Sequence, residues 1–575
     1  MPDTPDVDLS SCDREPIHIP GAIQPHGVLL GLSQPDFVVR VVSANCRSLV
    51  GREPDEVLGR RIDHVIRGDL VREDLIRSTP PEDLAERYPV LTTLVVDGDA
   101  IPVDAEFHRS NGLLLVEIEP APGPIALHRS YRVTRAAVAR INRAVGLKEL
   151  YQVAVEEMRR LTGFDRVMVY RFDDDWNGDV VAEDRAEGLN SFLGLRYPAS
   201  DIPAQARELY RTHWLRLIAD VDYEPVPLVP PISPVDGEPV DLSDSTLRSV
   251  SPIHVEYLRN MGVTASMSVS LLDRGRLWGL IACHHYSGPH RPPLEVRAAA
   301  ELLGQTLSLR LAHAAEQEEE RRTFRAHTIL ASLMSAALDE SRPALTCLTR
   351  RPHDLLDLTR ATGCALLVDG LESTVGLTPP RSATRALVDL AAEGGHEVLA
   401  LDRVPEVLPD LAPHRAVACG ALVMRPSEMQ YVVWFRPELV QTVSWGGDPA
   451  NVAIARNEGD EVRLSPRKSF EVWQEKVRGR SEPWAPVDVS LAAELRHDLI
   501  DALYARSRRL ASTATTLQRS LLPAQLPPVP GWGLAVDYRP SIGDDVGGDW
   551  YDVLVLGSGQ VLCALGDVAG HGVAA

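Results

Sequence analysis

The first residue able to do chemistry is Cys12, set in the polar leader SSCDREPIHIPGAIQPHG just ahead of Pro16, Pro20 and Pro25. Cysteine usually prefers a core, and an exposed thiol is a reactive nucleophile. It is therefore either a leader residue of no consequence or a group that something else in the chain uses. A second feature is the stretch SMSVSLL, where Met267, Val269 and Leu271 alternate with Ser266, Ser268 and Ser270. That is a strand with one apolar face and one row of hydroxyls. Such a row either faces solvent or lies against a polar ligand.

The elements that must position these groups follow from composition and pattern. A chain of 575 residues exceeds one core, so roughly three to five domains are expected. Hydrophobic residues at 44% and charged residues at 24% are those of an ordinary globular protein. The net charge of −22 argues against sequence-independent nucleic-acid binding, because phosphates would be repelled. Cysteines 12, 46, 283, 347, 364, 419 and 563 are scattered, with no CxxC pair, which argues against a disulfide framework and a zinc site. Neither a signal peptide nor a membrane-spanning run is visible, so a soluble, cytoplasmic protein without membrane contact is expected.

Residues 24 to 118 read as short strands, and PAPGPIAL as a linker. A helical pattern starts near 128 and closes on Gly163. Strands follow around RVMVYRF and in the hairpin SMSVSLLDRGRLWGLIACHHY, where Cys283 reads as a core residue. A long helix is expected from Leu294 to about Leu338, then a third α/β block ending in an irregular, Arg- and Trp-rich segment before residue 487. Ile500, Leu503, Ser507, Leu510, Ala514, Leu517 and Leu521 recur at alternating three- and four-residue spacings, a coiled-coil seam that either dimerises or packs on a neighbouring domain.

Three further strings stand in the middle of the chain: YPASDIP at 197–203, SVSPIHVEYLRNMGV from 249 and LWGLIACHHY from 277. With the Cys12 leader, in this order and spacing, they resemble the bacterial phytochromes over roughly residues 10 to 520. The resemblance implies an α+β multidomain fold: PAS, GAF and PHY antiparallel sheets with flanking helices, joined by long helical linkers. It divides the chain into leader and PAS (1–125), GAF (126–312), PHY (313–486, with a "tongue" at about 445–486) and a coiled-coil output helix (487–521). It implies a thioether from Cys12 to a vinyl group of biliverdin. Ile253 stands ahead of His254, where phytochromes using other bilins carry their attachment cysteine, which leaves Cys12 for the role. By resemblance, Arg216, Arg248, Tyr210, Ser251, Ser266 and Ser268 bind the pigment's carboxylates, suiting charge-assisted hydrogen bonding. The backbone at Asp201 and His254 face the pyrrole nitrogens, with Ile202 beside them. His284 meets a ring carbonyl, and Tyr170, Tyr197 and Tyr257 form the wall. The complete PRKSF motif implies that Arg467 pairs with Asp201 from the tongue, and that Ser469 replaces it when light refolds the tongue from hairpin toward helix. Trp473 belongs to the same tongue pattern. A homodimer through helices at about 300–338 and 487–521 is implied.

A kinase output is not supported, because His497 lies at the start of the seam and no ATP-binding Gly-rich boxes follow. Instead GGDWYD and GDVAGHG, after a proline-rich lead-in, resemble the start of PPM-type serine/threonine phosphatases of the sporulation and stress-response kind. That implies Asp549, Asp567 and the Val568 carbonyl as ligands of Mn2+ or Mg2+, hard cations that take oxygen ligands. The phosphatase region, 522–575, is expected to be an incomplete α/β sandwich lacking its later aspartates. A phosphoprotein such as an anti-sigma-factor antagonist is the implied substrate. The rival reading is a light-independent GAF sensor of a small molecule, which would need neither Cys12 nor PRKSF.

Overall fold

The computed structural model describes residues 15–66, 88–96, 99–121, 127–338, 344–368, 371–439, 441–446, 453–458, 461–466, 472–523, 525–537, 549–557 and 559–567. The chain divides into two compact units, Met1–Glu318 with Thr442–Glu475, and Glu319–Gln441 with Lys476–Ala575.

The first unit holds two sheets. The N-terminal sheet runs in the order Ala22–Ile23, Val226–Val229, Val39–Ser43, Val28–Ser33, Leu113–Pro120, Asp99–Ser110, Tyr88–Val96. Its strands are rich in Val, Ile and Leu because both faces are covered. One packs on the short helices at 47–65, and the other on Leu228, Val240, Leu242 and Leu247 from later in the chain. The second sheet runs Leu215–Ile218, Ala265–Asp273, Arg276–His285, Arg166–Phe172, Gly178–Arg185, Arg196–Tyr197, Gln441–Gly446, Val472–Val477. One face carries Val167, Val169, Met267, Val269 and Cys283, packed on the helices Leu127–Arg143 and Leu147–Thr162 and on the start of Leu294–Ala337. Cys283 is a core residue, as expected, and burial pushes its thiol pKa up.

The helical pattern expected from 128 to 163 is divided in two. Gly146 sits at φ 78°, outside helical backbone and open to glycine, and the N–H of Val145 bonds to Glu149 Oε2 at 2.8 Å. In the segment before 487, residues 441–446, 453–458, 461–466 and 472–477 are strands rather than irregular chain. These include a hairpin, Ala453–Glu458 paired with Glu461–Pro466.

In the second unit a five-stranded antiparallel sheet, ordered Leu371–Gly376, Gly363–Val368, Gln430–Arg436, Gly420–Ser427, Val398–Leu401, has a core on each face. The second half of Leu294–Ala337 and the start of Pro486–Leu521 share one of those faces, through Leu330, Leu333, Leu491 and Leu495. Leu503, first of the leucines in the seam, packs on this same core. The side chains of Leu510, Ala514, Leu517 and Leu521 lie outside the described residues. Among the described residues no helix is long and apolar enough to cross a membrane.

A buried charge cluster joins the two sheets of the first unit. Glu119, at the end of Leu113–Pro120, accepts hydrogen bonds from Arg297 (2.9 Å) and Arg291 (3.0 Å). Burial alone would raise the Glu119 pKa, but Arg297, His26 and Arg291 outweigh it and hold the carboxyl below its ordinary value. Replacing Glu119 by Leu leaves the buried Arg297 with Glu106 and Asp104 as its more distant counter-charges among the described residues. The expected loss is about 3–5 kcal/mol, read from the urea transition of the first unit, with Glu119→Leu/Arg297→Met recovering most of it. An unchanged midpoint in the single variant would show that the cluster carries no such weight.

Candidate functional site

The floor of the site is the strand Ala265–Asp273. Its apolar residues enter the core, while Ser266 and Ser268 face the other way, into a cavity of about 630 Å3. That volume suits a small-molecule ligand, whose sites run to ~300–1,000 Å3. Register collects the other polar groups. Arg216 lies beside Ser268, and His284 beside Ser266 on the opposite neighbour. Ser270 stays on the same hydroxyl row but does not line the cavity. It is buried, and its hydroxyl meets the carbonyls of Tyr210 (2.6 Å) and His213 (3.0 Å), so it anchors the helix Ala204–Thr212 to the sheet.

Thirteen of the fourteen pigment-binding residues expected from the sequence line this one cavity, namely Tyr170, Tyr197, Asp201, Ile202, Tyr210, Arg216, Arg248, Ser251, His254, Tyr257, Ser266, Ser268 and His284, and the fourteenth, Cys12, lies outside the described residues. Arg216 donates to the carbonyls of Ser245 (3.3 Å) and, more closely, Arg248. Arg248 is 6% exposed and donates to the Ser243 carbonyl at 3.4 Å. Two guanidiniums gathered at one end of the cavity suit carboxylates, which they can meet with paired N–H donors. Asp201 closes a short turn, Ala199–Asp201, and accepts the Tyr257 hydroxyl at 2.8 Å. Arg207 holds that turn through the carbonyls of Ala199 (3.3 Å) and Ile202 (2.7 Å), with its guanidinium 4.8 Å from the Trp176 ring centroid.

His254 stacks on Tyr257 with ring centroids 6.1 Å apart. Burial, then the charge of Arg216, lowers its pKa to about 4. Burial, then Arg166 and His254, lowers that of His284 to about 3. The Nδ1 of His284 is buried with no hydrogen-bond partner among the described residues, so it can meet a ligand atom. Several lining residues carry no sequence signal. They include Met168, Phe192, His213, Ile17 and Glu15, whose Oε2 accepts the Ser251 hydroxyl at 2.7 Å. Only the nearness of Glu15 to Cys12 could have drawn attention to it.

The strand Gln441–Gly446 joins the cavity's own sheet. Trp445 pairs in parallel with Arg196, whose guanidinium lies 5.4 Å from the Trp445 ring centroid. A Cβ at Gly446 would come within 2.6 Å of the Tyr197 ring, so glycine permits this approach. The hairpin strand Glu461–Pro466 runs beside the helix Pro252–Asn260, which carries His254 and Tyr257. Arg467 and Ser469 follow it but lie outside the described residues, as do Cys12 and Val568. Trp473 is 38% exposed and does not line the cavity. Asp549 and Asp567 stand opposite each other at one end of the hairpin Asp549–Val555/Val561–Asp567. Among the described residues no group of three or more His, Cys, Asp or Glu could hold a metal ion, so no chemical step through a metal is derived.

This architecture is that of a three-part sensory core with a ligand cavity in its middle domain. A PAS fold matches residues 12–121, a GAF domain 146–315 and a phytochrome region 326–508. Cyanobacterial phytochrome B of Nostoc sp. is 42% identical over 526 residues, covering 89% of this chain and 69% of that protein. A bacteriophytochrome of Xanthomonas campestris is 37% identical, covering 90% and 81%. Among solved structures, the photosensory core module of Stigmatella aurantiaca phytochrome is 42% identical with a TM-score of 0.72, over 87% of this chain and 99% of that one. The bacteriophytochrome structure from R. palustris gives 36% and 0.75, over 87% and 100%. The chain belongs to the phytochrome family, with the PAS–GAF–PHY organisation of the bacteriophytochromes.

The family implies a bilin chromophore. The cavity fits one on its chemistry: two guanidiniums for carboxylates, an unpartnered His284 Nδ1 for a carbonyl, and aromatic walls for flat rings.

Both histidines have folded pKa values below the ordinary imidazole value of about 6.5, so unfolding takes up protons as pH falls from there toward 4. Stability contributed by the neutral rings is therefore present above pH ~6.5 and lost through that window. Urea midpoints of the pigment-free protein at pH 7, 6 and 5 should fall with pH. His254→Gln/His284→Gln should flatten that slope, and an identical slope in the variant would contradict the assignment.

Proposed function

We propose that the chain is a red/far-red photoreceptor that holds biliverdin through a thioether to Cys12. The observation carrying this reading is the convergence of thirteen of the fourteen expected residues on one cavity with two guanidiniums, Arg216 and Arg248, at one end. Arg216, with Tyr210, and Arg248, with Ser266 and Ser268, would bind the two propionates. His254 and the Asp201 carbonyl would face the pyrrole N–H groups, beside Ile202. His284 would donate to or accept from the terminal ring, and Tyr170, Tyr197 and Tyr257 would confine its rotation. The pigment supplies the light absorption and the isomerisable double bond. The protein's part is to orient it, exclude water and hold the neutral imidazoles in place.

Glu15 lines the cavity and Cys12 is three residues upstream, at most about 10 Å of extended chain, which brings the thiol within reach of a pigment there. The Asp201 carboxylate, already taken up by Tyr257, is the partner we assign to Arg467, because the strand preceding Arg467 runs beside the helix of Tyr257. Light would break that pair, release the tongue with Trp473, and let Ser469 take the place of Arg467. Exposed Leu302 and Leu309, seven residues apart on one helix, support the homodimer, with 487–521 continuing it. A cytoplasmic setting goes with this reading.

For the output, the register of Asp549 and Asp567 supports a PPM-type phosphatase segment in which both, with the Val568 carbonyl, contribute to a Mn2+ or Mg2+ site. Its substrate would be a phosphoserine or phosphothreonine regulator such as an anti-sigma-factor antagonist.

The absorption spectrum with biliverdin, before and after red light, tests the central reading. A red band should fall, a far-red band should rise, and far-red light should reverse both. Cys12→Ser should abolish pigment that stays with the protein on a denaturing gel. Arg467→Ala should leave attachment intact and reduce the far-red state. Failure to bind pigment would leave only a GAF-type small-molecule sensor.

A further inference from the structure

The ring of Tyr170 rests on bare backbone. A Cβ placed at Gly178 would overlap the Cζ, Cε1 and hydroxyl oxygen of that ring. Gly178 begins the strand Gly178–Arg185, and its φ lies outside the left-handed region, so the missing side chain serves space and not backbone conformation. Nor is the glycine free to move aside. It lies between two strands, opposite Phe172 on one side and Tyr197 on the other. The turn before it is tied by Asp173, whose Oδ1 accepts the N–H groups of Asp175 (2.9 Å) and Asn177 (2.8 Å). A bulge between Val169 and Tyr170 puts Val180, and with it Gly178, on the cavity side of the sheet, while Ala182 enters the core. The Tyr170 ring itself is buried, edge-on to Phe172 (centroids 5.4 Å apart) and tilted against Tyr197 (6.0 Å), and it lines the cavity. With those rings beside it, the open direction for a displaced Tyr170 is the cavity.

We propose that Gly178 is a positioning residue for the photochemistry: its bare Cα seats the Tyr170 ring clear of the space in which the pigment's terminal ring turns. The inference rests on the reading of the cavity as the site of a photoisomerising bilin. It adds to that reading a residue that does not line the cavity and acts only through Tyr170. A side chain at 178 drives the tyrosine ring inward, and a close-packed wall has no slack to absorb the added volume. The pigment's step is rotation about a double bond, in which no atom is gained or lost. Crowding at the rotating ring therefore lowers the yield of that rotation, and more of the absorbed light returns as emission. The same substitution leaves the backbone unstrained, because alanine adopts the strand conformation that Gly178 already has.

The test compares Gly178→Ala, Tyr170→Leu and the double variant in the full chain, with and without biliverdin. In pigment-free protein labelled with 3-fluorotyrosine, the Tyr170 fluorine signal is the one lost in Tyr170→Leu, and it should move in Gly178→Ala. With pigment bound, Gly178→Ala should photoconvert about tenfold less per absorbed photon and emit more. In the Tyr170→Leu background there is no ring to displace, so Gly178→Ala should change either quantity by no more than about twofold. An unmoved fluorine signal in folded Gly178→Ala overturns the proposal, as does an equal loss of photoconversion with and without the tyrosine ring. If Gly178→Ala does not fold, the double variant decides. A folded double variant shows that the ring is what the added side chain meets, and an unfolded one overturns the seat. If the unaltered protein takes up pigment and does not photoconvert, the photoreceptor reading fails, while the fluorine signal still decides whether Gly178 seats the ring.

Discussion

The whole site depends on one strand that serves two environments. Alternation along Ala265–Asp273 sends Met267, Val269 and Leu271 into a dry core and Ser266 and Ser268 into a cavity. A slip of one residue would exchange the faces, placing hydroxyls among leucines and thioether and isopropyl groups against the ligand. Such a slip is resisted on both flanks. The register is unbroken over Ser266–Val269 on one flank and Ala265–Leu271 on the other, and the Ser270 hydroxyl is spent on the carbonyls of Tyr210 and His213. The same register sets Arg216 and His284 on the cavity side. Their positions follow from the packing of the other face.

That sheet also extends past the cavity. From Arg166–Phe172 through Gly178–Arg185 and Arg196–Tyr197 it runs on into Gln441–Gly446, a strand contributed from far along the chain. The turn bearing Asp201 hangs from the same edge, braced by Arg207 and by Asn177, whose side-chain oxygen accepts the Ala199 N–H at 3.2 Å. The close approach of Gly446 to Tyr197 ties the cavity wall to the added strand, since that ring also lines the cavity.

In the second unit a single carboxylate plays a comparable part. Asp488 is 1% exposed, caps the start of Pro486–Leu521 by accepting the Ala485 N–H at 3.0 Å, and receives Arg322 (2.6 Å) and Arg436 (3.1 Å). Arg436 in turn stacks 3.9 Å from the Trp484 ring centroid. The arginine of one long helix and the first turn of the other are thus held to one buried point, where loss of a partner would strand a charge.

Sequence alone separated the strand-rich stretches from most of the helices and named thirteen of the residues that line the cavity. Motif strings such as YPASDIP and SPIHVEY name residues whose chemistry is local to their side chains. It also separated Met267 from Ser268, because strand alternation is a local property. It could not say that Ser270 anchors a helix, since that depends on where the end of the helix Ala204–Thr212 arrives. Nor could it show the break at Gly146, where a local glycine conformation overrides an otherwise continuous helical pattern. Glu15 meeting Ser251, Glu119 meeting Arg297 and Asp488 meeting Arg322 join residues more than a hundred positions apart. No periodicity records such pairs: buried charges and hydroxyls find partners only once the chain has folded, and only then does burial make the partner matter.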